Sequence, residues 1–258
     1  MTSYNLKKII AERQILFNSA EADEKHLQYY LKSLTKSKRK YPVVIFHIGD
    51  TFPEGDMKSK TLGSIENVTF MDCKITTYNV SLHFIHCVFV NFVFHAVGIA
   101  KLSLLFQKSI YTKLLMMEIK NYGLVSVNKC KLENITVRGL SSIFYFSHVS
   151  RIVMSNCLVR IIIGSIISAH SCHTIELHYL VVFRVTRTNV NLPEHTTLII
   201  INSITLQINM SKITHCQSRF LFIKDTANVF LENINLNTTQ SIYGTLNIVY
   251  SDLRRHSY

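Results

Sequence analysis

The sequence predicts an all-β protein, and more narrowly a parallel β-helix solenoid of about eight coils. A motif of strand, corner and strand, first seen at residues 66–75, recurs about every 23 residues, a period typical of solenoids. Isoleucine, valine and aromatic residues are abundant, which favours strands over helices. The helical patterns of TPR and ankyrin repeats are absent.

Composition limits the class of protein. A hydrophobic content of 48% and a mean hydropathy of +0.19 exclude a disordered chain. The formal net charge of +12 favours contact with an acidic partner, such as nucleic acid, a membrane surface or an acidic protein. The alternative is a basic surface that only keeps a strand-rich protein soluble.

Residues 1–40 differ from the rest and predict a helical N-terminal arm. Ile9, Leu16 and Phe17 contribute to a first amphipathic helix. A second helix, with acidic residues early and lysines late, is expected up to about residue 37. An open β-helix end can pair with other chains, so these helices are expected to cap the first coil.

A basic cluster ends this arm, formed by Lys36, Lys38, Arg39 and Lys40. It is typical of a nuclear-localisation signal or a nucleic-acid patch, and also of a solvated helix end. Residues 41–61 are predicted to form a strand and a loop that lead into the solenoid. The solenoid is assigned to residues 62–250, and residues 251–258 form a basic C-terminal tail.

Eight motif centres are expected near residues 73, 87, 109, 130, 157, 180, 210 and 234. Four cysteines, Cys73, Cys87, Cys130 and Cys157, follow a polar corner residue in this motif. They are predicted to stack as a ladder of small buried side chains, which fits a reducing compartment. A disulfide framework is the alternative for a secreted chain. Without a CxxC pair, a zinc site of the usual spacing is not expected.

The densest polar constellation is His170, Cys172, His173 and His178, with Glu176 between them. These residues are weak candidates for a metal site or for Cys/His catalysis. Neighbouring side chains on a strand face opposite ways, so the competing interpretation is an ordinary turn and strand. No cofactor is expected.

Residues 75–100 contain no Asp, Glu, Lys or Arg and are long enough for a transmembrane helix. Their histidines and asparagines would lie on every side of such a helix, so strands are favoured.

No secretory signal is visible. The expected location is a reducing intracellular compartment, with an extracellular location as the alternative. The chain also contains Asn-x-Ser/Thr sequences of the kind that can be N-glycosylated. Their asparagines are interpreted as polar corner residues of the repeat: Asn67, Asn79, Asn134, Asn209 and Asn237.

The motif copies Asn67-Val-Thr-Phe-Met-Asp-Cys73 and Val153-Met-Ser-Asn-Cys157 resemble repeats of pectate-lyase-type proteins. This resemblance covers residues 62 to about 250 and implies a right-handed parallel β-helix. It is specific for fold and not for function.

Two segments, Gly123-Leu-Val-Ser-Val-Asn-Lys-Cys130 and residues 215–229, are similar to the adenovirus early-region large transforming protein family. That family includes a capsid-exposed relative in atadenoviruses. The resemblance implies a non-enzymatic β-helix, either a trimeric knob that cements the virion surface or a nuclear adaptor for host factors.

The expected function is therefore a structural or interaction β-helix that binds other proteins through its lateral faces, including its own copies. A carbohydrate-active lyase or hydrolase is one alternative, and a secreted or membrane-associated adhesin is another. Such enzymes need clustered carboxylates, but the acidic residues of the repeats are mostly single, so an enzyme is not expected.

Self-association is directly measurable, because the chain has a mass of 29.7 kDa. Light scattering on the purified protein is expected to give one species with three times that mass. A monomer at working concentration would contradict the trimer.

Overall fold

The computed structural model describes residues 3–5, 9–11, 14–19, 43–48, 63–137, 142–186, 196–215, 219–237, 246–249 and 253–254. Within these ranges every regular element is a β-strand and no helix occurs. The strand pairings are parallel, and strands pair with their equivalents one turn away. The chain is therefore a parallel β-solenoid, as predicted, and residues 63–237 form about seven complete turns of it.

Three parallel sheets run along the solenoid, and a turn contributes one strand to each. Sheet 1 contains β1 (Ser3–Asn5), β5 (Gly63–Glu66), β8 (Leu82–Ile85), β10 (Ser103–Gln107), β12 (Leu124–Asn128), β15 (Arg151–Ser155), β18 (Thr174–His178), β21 (Thr205–Asn209), β24 (Asn228–Glu232) and β27 (Leu253–Arg254). Sheet 2 contains β2 (Ile9–Ala11), β6 (Thr69–Met71), β22 (Lys212–Thr214), β25 (Asn235–Asn237) and the first parts of β9 (Val88–Val97), β11 (Ile110–Lys120), β13 (Lys131–Thr136), β16 (Leu158–Ile163) and β19 (Val181–Thr186). Sheet 3 contains β3 (Gln14–Ser19), β4 (Val43–Ile48), β7 (Lys74–Tyr78), the second parts of β9 and β11, β14 (Ser142–Ser147), β17 (Ser165–His170), β20 (Thr196–Ile201), β23 (Arg219–Lys224) and β26 (Leu246–Val249).

The turns stack in register, so equivalent residues form columns along the solenoid. Alternation of apolar and polar residues in the strands sends every second side chain inward. One inward column of sheet 1 consists of Leu82, Leu104, Val125, Ile152, Ile175, Leu206 and Val229. Burial of such columns in a continuous core stabilises a stack whose single turns could not fold alone.

Corners between the sheets are made by single residues in the left-handed backbone region. Asn and Asp tolerate that region best among residues with a Cβ, which explains how a chain with 8 glycines can turn so often. Corner 1, between sheets 1 and 2, uses Asn67, His86, Lys108, Lys129, Asn156, Tyr179, Met210 and Asn233. Corner 2, between sheets 2 and 3, uses Asp72, Asn91, Lys113, Asn134, Ile161, Arg184 and His215. Corner 3, leading back to sheet 1, uses Asn79, Asn121, His148, Ser171, Asn202 and Asp225.

Backbone hydrogen bonds continue through the corners. The N–H of Lys129, for example, donates to the carbonyl of Ser155 in the next turn at 3.0 Å. The residue after the corner points inward, and serine or cysteine there donates to the carbonyl two residues earlier. Ser109 Oγ lies 3.0 Å from the Gln107 oxygen in this way. Serine also accepts, because the Cys87 N–H donates to Ser109 Oγ at 3.2 Å.

Aromatic rings fill the core of the earlier turns. Phe89 stacks on Phe70 at 5.2 Å and on Tyr111 at 4.8 Å, each in the same inward column of sheet 2. Later turns fill the equivalent positions with aliphatic residues, such as Val159. Tyr111 is fully buried, and its hydroxyl has no hydrogen-bond partner within the described residues.

The predicted first helix of the N-terminal arm is wrong. Strands β1, β2 and β3 pair in parallel with β5, β6 and β7, and so add a turn before the predicted start at residue 62. Paired apolar residues such as Ile9 and Ile10 suit a strand as well as a helix, and pairing satisfies the open edge of the next turn. Strand β4 pairs with β3 and contains the strand expected at 43–46. The second predicted helix lies outside the described residues.

Replacement of Ser109 by alanine tests the corner hydrogen bonds. The substitution leaves the N–H of Cys87 buried without its acceptor, so the free energy of unfolding is expected to fall by about 1–3 kcal/mol. Urea denaturation measures this loss. The matched control is Ser150→Ala at an exposed position, expected to change stability by less than about 0.5 kcal/mol. Equal effects of the two substitutions would contradict the interpretation.

Candidate interaction face

The outer surface of sheet 2, bordered by corners 1 and 2, carries the exposed features that bear on function. We call it the sheet 2 face. Its outward positions form two columns because neighbouring strands are in register. The first column contains Thr69, Val88, Ile110, Lys131, Leu158, Val181 and Lys212. The second contains Met71, Val90, Thr112, Glu133, Arg160, Phe183 and Thr214.

One part of this face is apolar over three neighbouring turns. We call it the apolar cluster: Leu158, Ile161, Tyr179, Val181, Phe183 and Met210. Tyr179 is 52% exposed, Met210 51% and Val181 43%, which is unusual for large apolar side chains. Strand pairing sets Val181 beside Leu158, and the Tyr179 N–H donates to the Asn209 carbonyl, so Tyr179 and Met210 occupy consecutive turns of corner 1.

Three members of the apolar cluster hold a backbone conformation that suits them poorly. Tyr179 has a φ of 53°, Met210 of 44° and Ile161 of 54°. A β-branched or bulky residue in the left-handed region is an outlier, costing on the order of 1–3 kcal/mol. At corner 1, which contains Tyr179 and Met210, other turns use Asn156 and Asn233, a residue type that tolerates this conformation. The exposed apolar side chains therefore cost stability and gain little burial in return.

The sheet 2 face is also basic. Its outward basic residues in the described part are Lys108, Lys113, Lys129, Lys131, Arg160, Arg184 and Lys212, and its acidic residues are Asp72 and Glu133. Glu133 already lies 2.9 Å from the Lys131 ammonium and 3.4 Å from the Arg160 guanidinium. By contrast, the described outer face of sheet 1 carries Glu66, Glu176 and Glu232 with Arg151. Positive charge is thus concentrated on the face that carries the apolar cluster.

The four candidates for a metal or catalytic site are not brought together. His170 ends β17 on sheet 3, and its Nε2 lies 2.9 Å from Ser168 Oγ. Cys172 is buried after corner 3, where its thiol donates to the His170 carbonyl at 3.4 Å. His173 is exposed beside Thr174, and His178 lies on the outer face of sheet 1. Within the described residues, no group of three His, Cys, Asp or Glu is placed to hold a metal ion.

His178 belongs instead to a polar cluster on sheet 1 that spans three turns. Arg151 Nε and Nη2 donate to the two carboxylate oxygens of Glu176, at 2.8 and 3.0 Å. His178 Nδ1 lies 2.6 Å from Asn209 Oδ1, and its Nε2 lies 3.5 Å from Glu176. Hydrogen bonding to Arg151 holds the pKa of the Glu176 carboxyl below its usual value. Sequence analysis missed Arg151, because its partner lies 25 residues away.

A third charged group lies on sheet 3. Glu118 accepts a hydrogen bond from Lys120 at 2.6 Å, and its other oxygen lies 2.9 Å from His95 Nδ1. The bond to Lys120 lowers the pKa of Glu118, while burial lowers that of His95. Three ion-paired glutamates in the described part, Glu118, Glu133 and Glu176, therefore lie on three different faces.

The predicted cysteine ladder is only partly assembled. Cys87, Cys130 and Cys157 all follow corner 1 and point inward, with Ser109 between the first two. Cys73 follows corner 2 and therefore does not belong to this column. The two corners have the same local sequence pattern, a polar residue followed by a small buried one. The basic cluster of Lys36, Lys38, Arg39 and Lys40 lies outside the described residues.

Comparison with known proteins identifies no relative. No family model matches the chain, and no match is found among curated proteins or among solved structures. Across the described ranges, no helix is long and apolar enough to span a membrane.

The Arg151–Glu176 pair predicts a specific dependence of stability on pH. A carboxyl with a lowered pKa stabilises the fold above its ordinary value of 4.5, and this contribution is lost as the pH falls through the folded value. Glu176→Gln is expected to cost about 1 kcal/mol of unfolding free energy at pH 7 and almost nothing in acid. Urea denaturation at both pH values measures the difference. Glu232→Gln, which alters an exposed glutamate of the same face, is expected to change little at either pH.

Proposed function

We propose that this chain is a non-enzymatic interaction protein that binds another protein through the sheet 2 face. The observation that carries the proposal is the apolar cluster. Tyr179 and Met210 are about half exposed in a backbone conformation that disfavours them. Exposed apolar surface on one flank of a β-solenoid is typical of a binding surface. A partner that covers these side chains would supply the burial that the isolated chain lacks.

The partner is an acidic protein that offers apolar side chains to the cluster. Arg184 and Lys212 border the apolar cluster, and neither forms an ion pair within the described residues. Complementary charge speeds association and excludes partners of like charge, while apolar contacts supply most of the affinity. A positively charged face opposes pairing with itself. A homotrimer, which remains a proposal, would need to use other surfaces of the solenoid.

Two finer forms of this function follow from the resemblance to adenoviral proteins. One is a capsid-surface protein that cements the virion, and the other is an adaptor for host factors in the nucleus. Both functions depend on binding other proteins. Both are compatible with a rigid solenoid whose cysteines are reduced, and the protein would act in the nucleus or in a virion.

A carbohydrate-active enzyme is the rival from another class. Retaining and inverting glycosidases need two carboxylates separated by about 5–9 Å. The placement of Glu118, Glu133 and Glu176 on three different faces, each beside a basic residue, supports the interaction function instead.

Substitution at corner 1 separates binding from folding. Tyr179→Asn combined with Met210→Asn introduces the residue that the same corner uses at Asn67, Asn156 and Asn233. Thermal stability is expected to stay equal or to rise, because strain at the corner is relieved. Affinity is expected to fall at least about tenfold, because two exposed anchors are removed. Fluorescence anisotropy measures affinity with a labelled peptide in which glutamate alternates with leucine.

The control variant is Ile204→Ser, which removes an apolar side chain of similar exposure outside the sheet 2 face. Its affinity for the peptide is expected to equal that of the wild type. Unchanged binding by the corner 1 variant would contradict the proposal. Tighter binding of duplex DNA or phosphatidylserine vesicles, insensitive to the corner 1 substitutions, would also contradict it and indicate a polyanion surface.

A further inference from the structure

Cys130 and Cys157 occupy equivalent positions in neighbouring turns. The residues after them, Lys131 and Leu158, are paired in register, and the Leu158 N–H donates to the Cys130 carbonyl at 3.0 Å. Neighbouring strands of a sheet lie about 4.8 Å apart. Disulfides bridge Cα atoms separated by about 4.4–6.8 Å. Both side chains point into the solenoid and are at most 2% exposed.

We propose that Cys130 and Cys157 form a modification site, where a hydroperoxide converts the two thiols into a disulfide that joins neighbouring turns. This inference rests on strand register and corner geometry, and it is independent of the proposed function. It also goes beyond the interpretation of these cysteines as a ladder of small buried side chains, because it makes one pair chemically distinct.

The geometry makes this pair selective. Ser109 separates Cys87 from Cys130 in the same column, and the Cys87 N–H donates to the Ser109 hydroxyl. Cys73 follows corner 2 and Cys172 follows corner 3, so they lie in other columns. Among the cysteines that the structure describes, Cys130 and Cys157 are therefore the pair in adjacent turns of one corner.

The surroundings assign a role to each sulfur. Each thiol donates to a backbone carbonyl, and the neighbouring Cys130 thiol lowers the pKa of Cys157, whereas the Cys157 thiol raises that of Cys130. Cys157 is therefore the better source of thiolate, the form that reacts with peroxides. Burial raises the pKa of the nearby Tyr111, the two thiols raise it further, and its buried hydroxyl has no partner among the described residues.

The reaction proceeds in two steps. The Cys157 thiolate attacks one oxygen of the hydroperoxide and breaks the O–O bond, which gives a sulfenic acid and, after protonation, an alcohol or water. The Cys130 sulfur then attacks the Cys157 sulfur, which releases the sulfenic oxygen as water and forms the S–S bond. Two thiols lose two electrons, one hydroperoxide gains them, and the two thiol protons leave in the alcohol and water. The corner residues that precede the two cysteines, Lys129 and Asn156, are exposed, so each thiol lies one residue along the chain from the solvent-exposed surface.

Mass spectrometry of the folded full-length chain tests the pairing. The protein is treated with hydrogen peroxide, remaining thiols are alkylated, and the chain is cleaved after glutamate. A cross-link is expected between the peptides 119–133 and 134–176, with fragment ions that place it on Cys130 and Cys157, and it should disappear on reduction. The melting temperature of the cross-linked protein is expected to rise by several degrees, because the bond restricts the unfolded chain.

Serine variants supply the controls. Cys130→Ser and Cys157→Ser should each abolish the cross-link and the rise in melting temperature. Both variants should fold, because Ser109 and Ser211 fill the same inward position in other turns and donate to the equivalent carbonyl. Cys87→Ser should keep the cross-link. Oxidation to sulfinic or sulfonic acid without a cross-link, a bond to another cysteine, or a bond that forms only in urea would overturn the proposal.

Discussion

The architecture depends on a pair of residues at the corners, one in the left-handed backbone region and the next pointing inward. The first keeps its N–H directed along the solenoid axis, as Lys108 does when it donates to the Asn128 carbonyl at 3.0 Å. The second closes the corner from inside, as Ser109 does with Gln107. If either condition failed, the parallel ladder would be interrupted in every turn and buried amide groups would lose their partners. Side chains alternate in any strand, and this pair sets which of them point inward in the adjoining strands.

Much of the fold could be predicted because this pair has a sequence signature. Seven of the eight expected motif centres, those from 87 to 234, fall at corner 1. The exception, Cys73, belongs to corner 2, which shows the same polar-then-buried pattern. Local sequence cannot distinguish the three corners of a turn, since only pairing with the next turn identifies the column. The N-terminal error has a related origin, because Ile9 and Ile10 satisfy helix and strand patterns until their pairing with β6 is known.

The candidate site was much less predictable than the fold. Leu158, Val181 and Met210 lie far apart in sequence and meet only through register, because one turn spans 19 to 31 residues between successive corner 1 residues. The Arg151–Glu176 pair is hidden in the same way, across 25 residues. The chemical class of a residue was also misleading. Cysteine at a corner looks apolar in the sequence, yet Cys157 and Ser211 have the same role as hydrogen-bond donors to a backbone carbonyl.

Corner 1 also shows where stability and exposed apolar surface are in conflict. Asn67, Asn156 and Asn233 fit the backbone and present an amide to water, whereas Tyr179 and Met210 strain the same backbone and present apolar surface. Strain at exposed positions persists only where surrounding structure enforces it, and in this chain the stacked turns on both sides do so. The solenoid can carry that cost because its core is built from columns that these outward side chains do not touch. A repeating fold therefore allows a few corners to carry exposed apolar side chains, which we propose bind a partner, while the others maintain the stack.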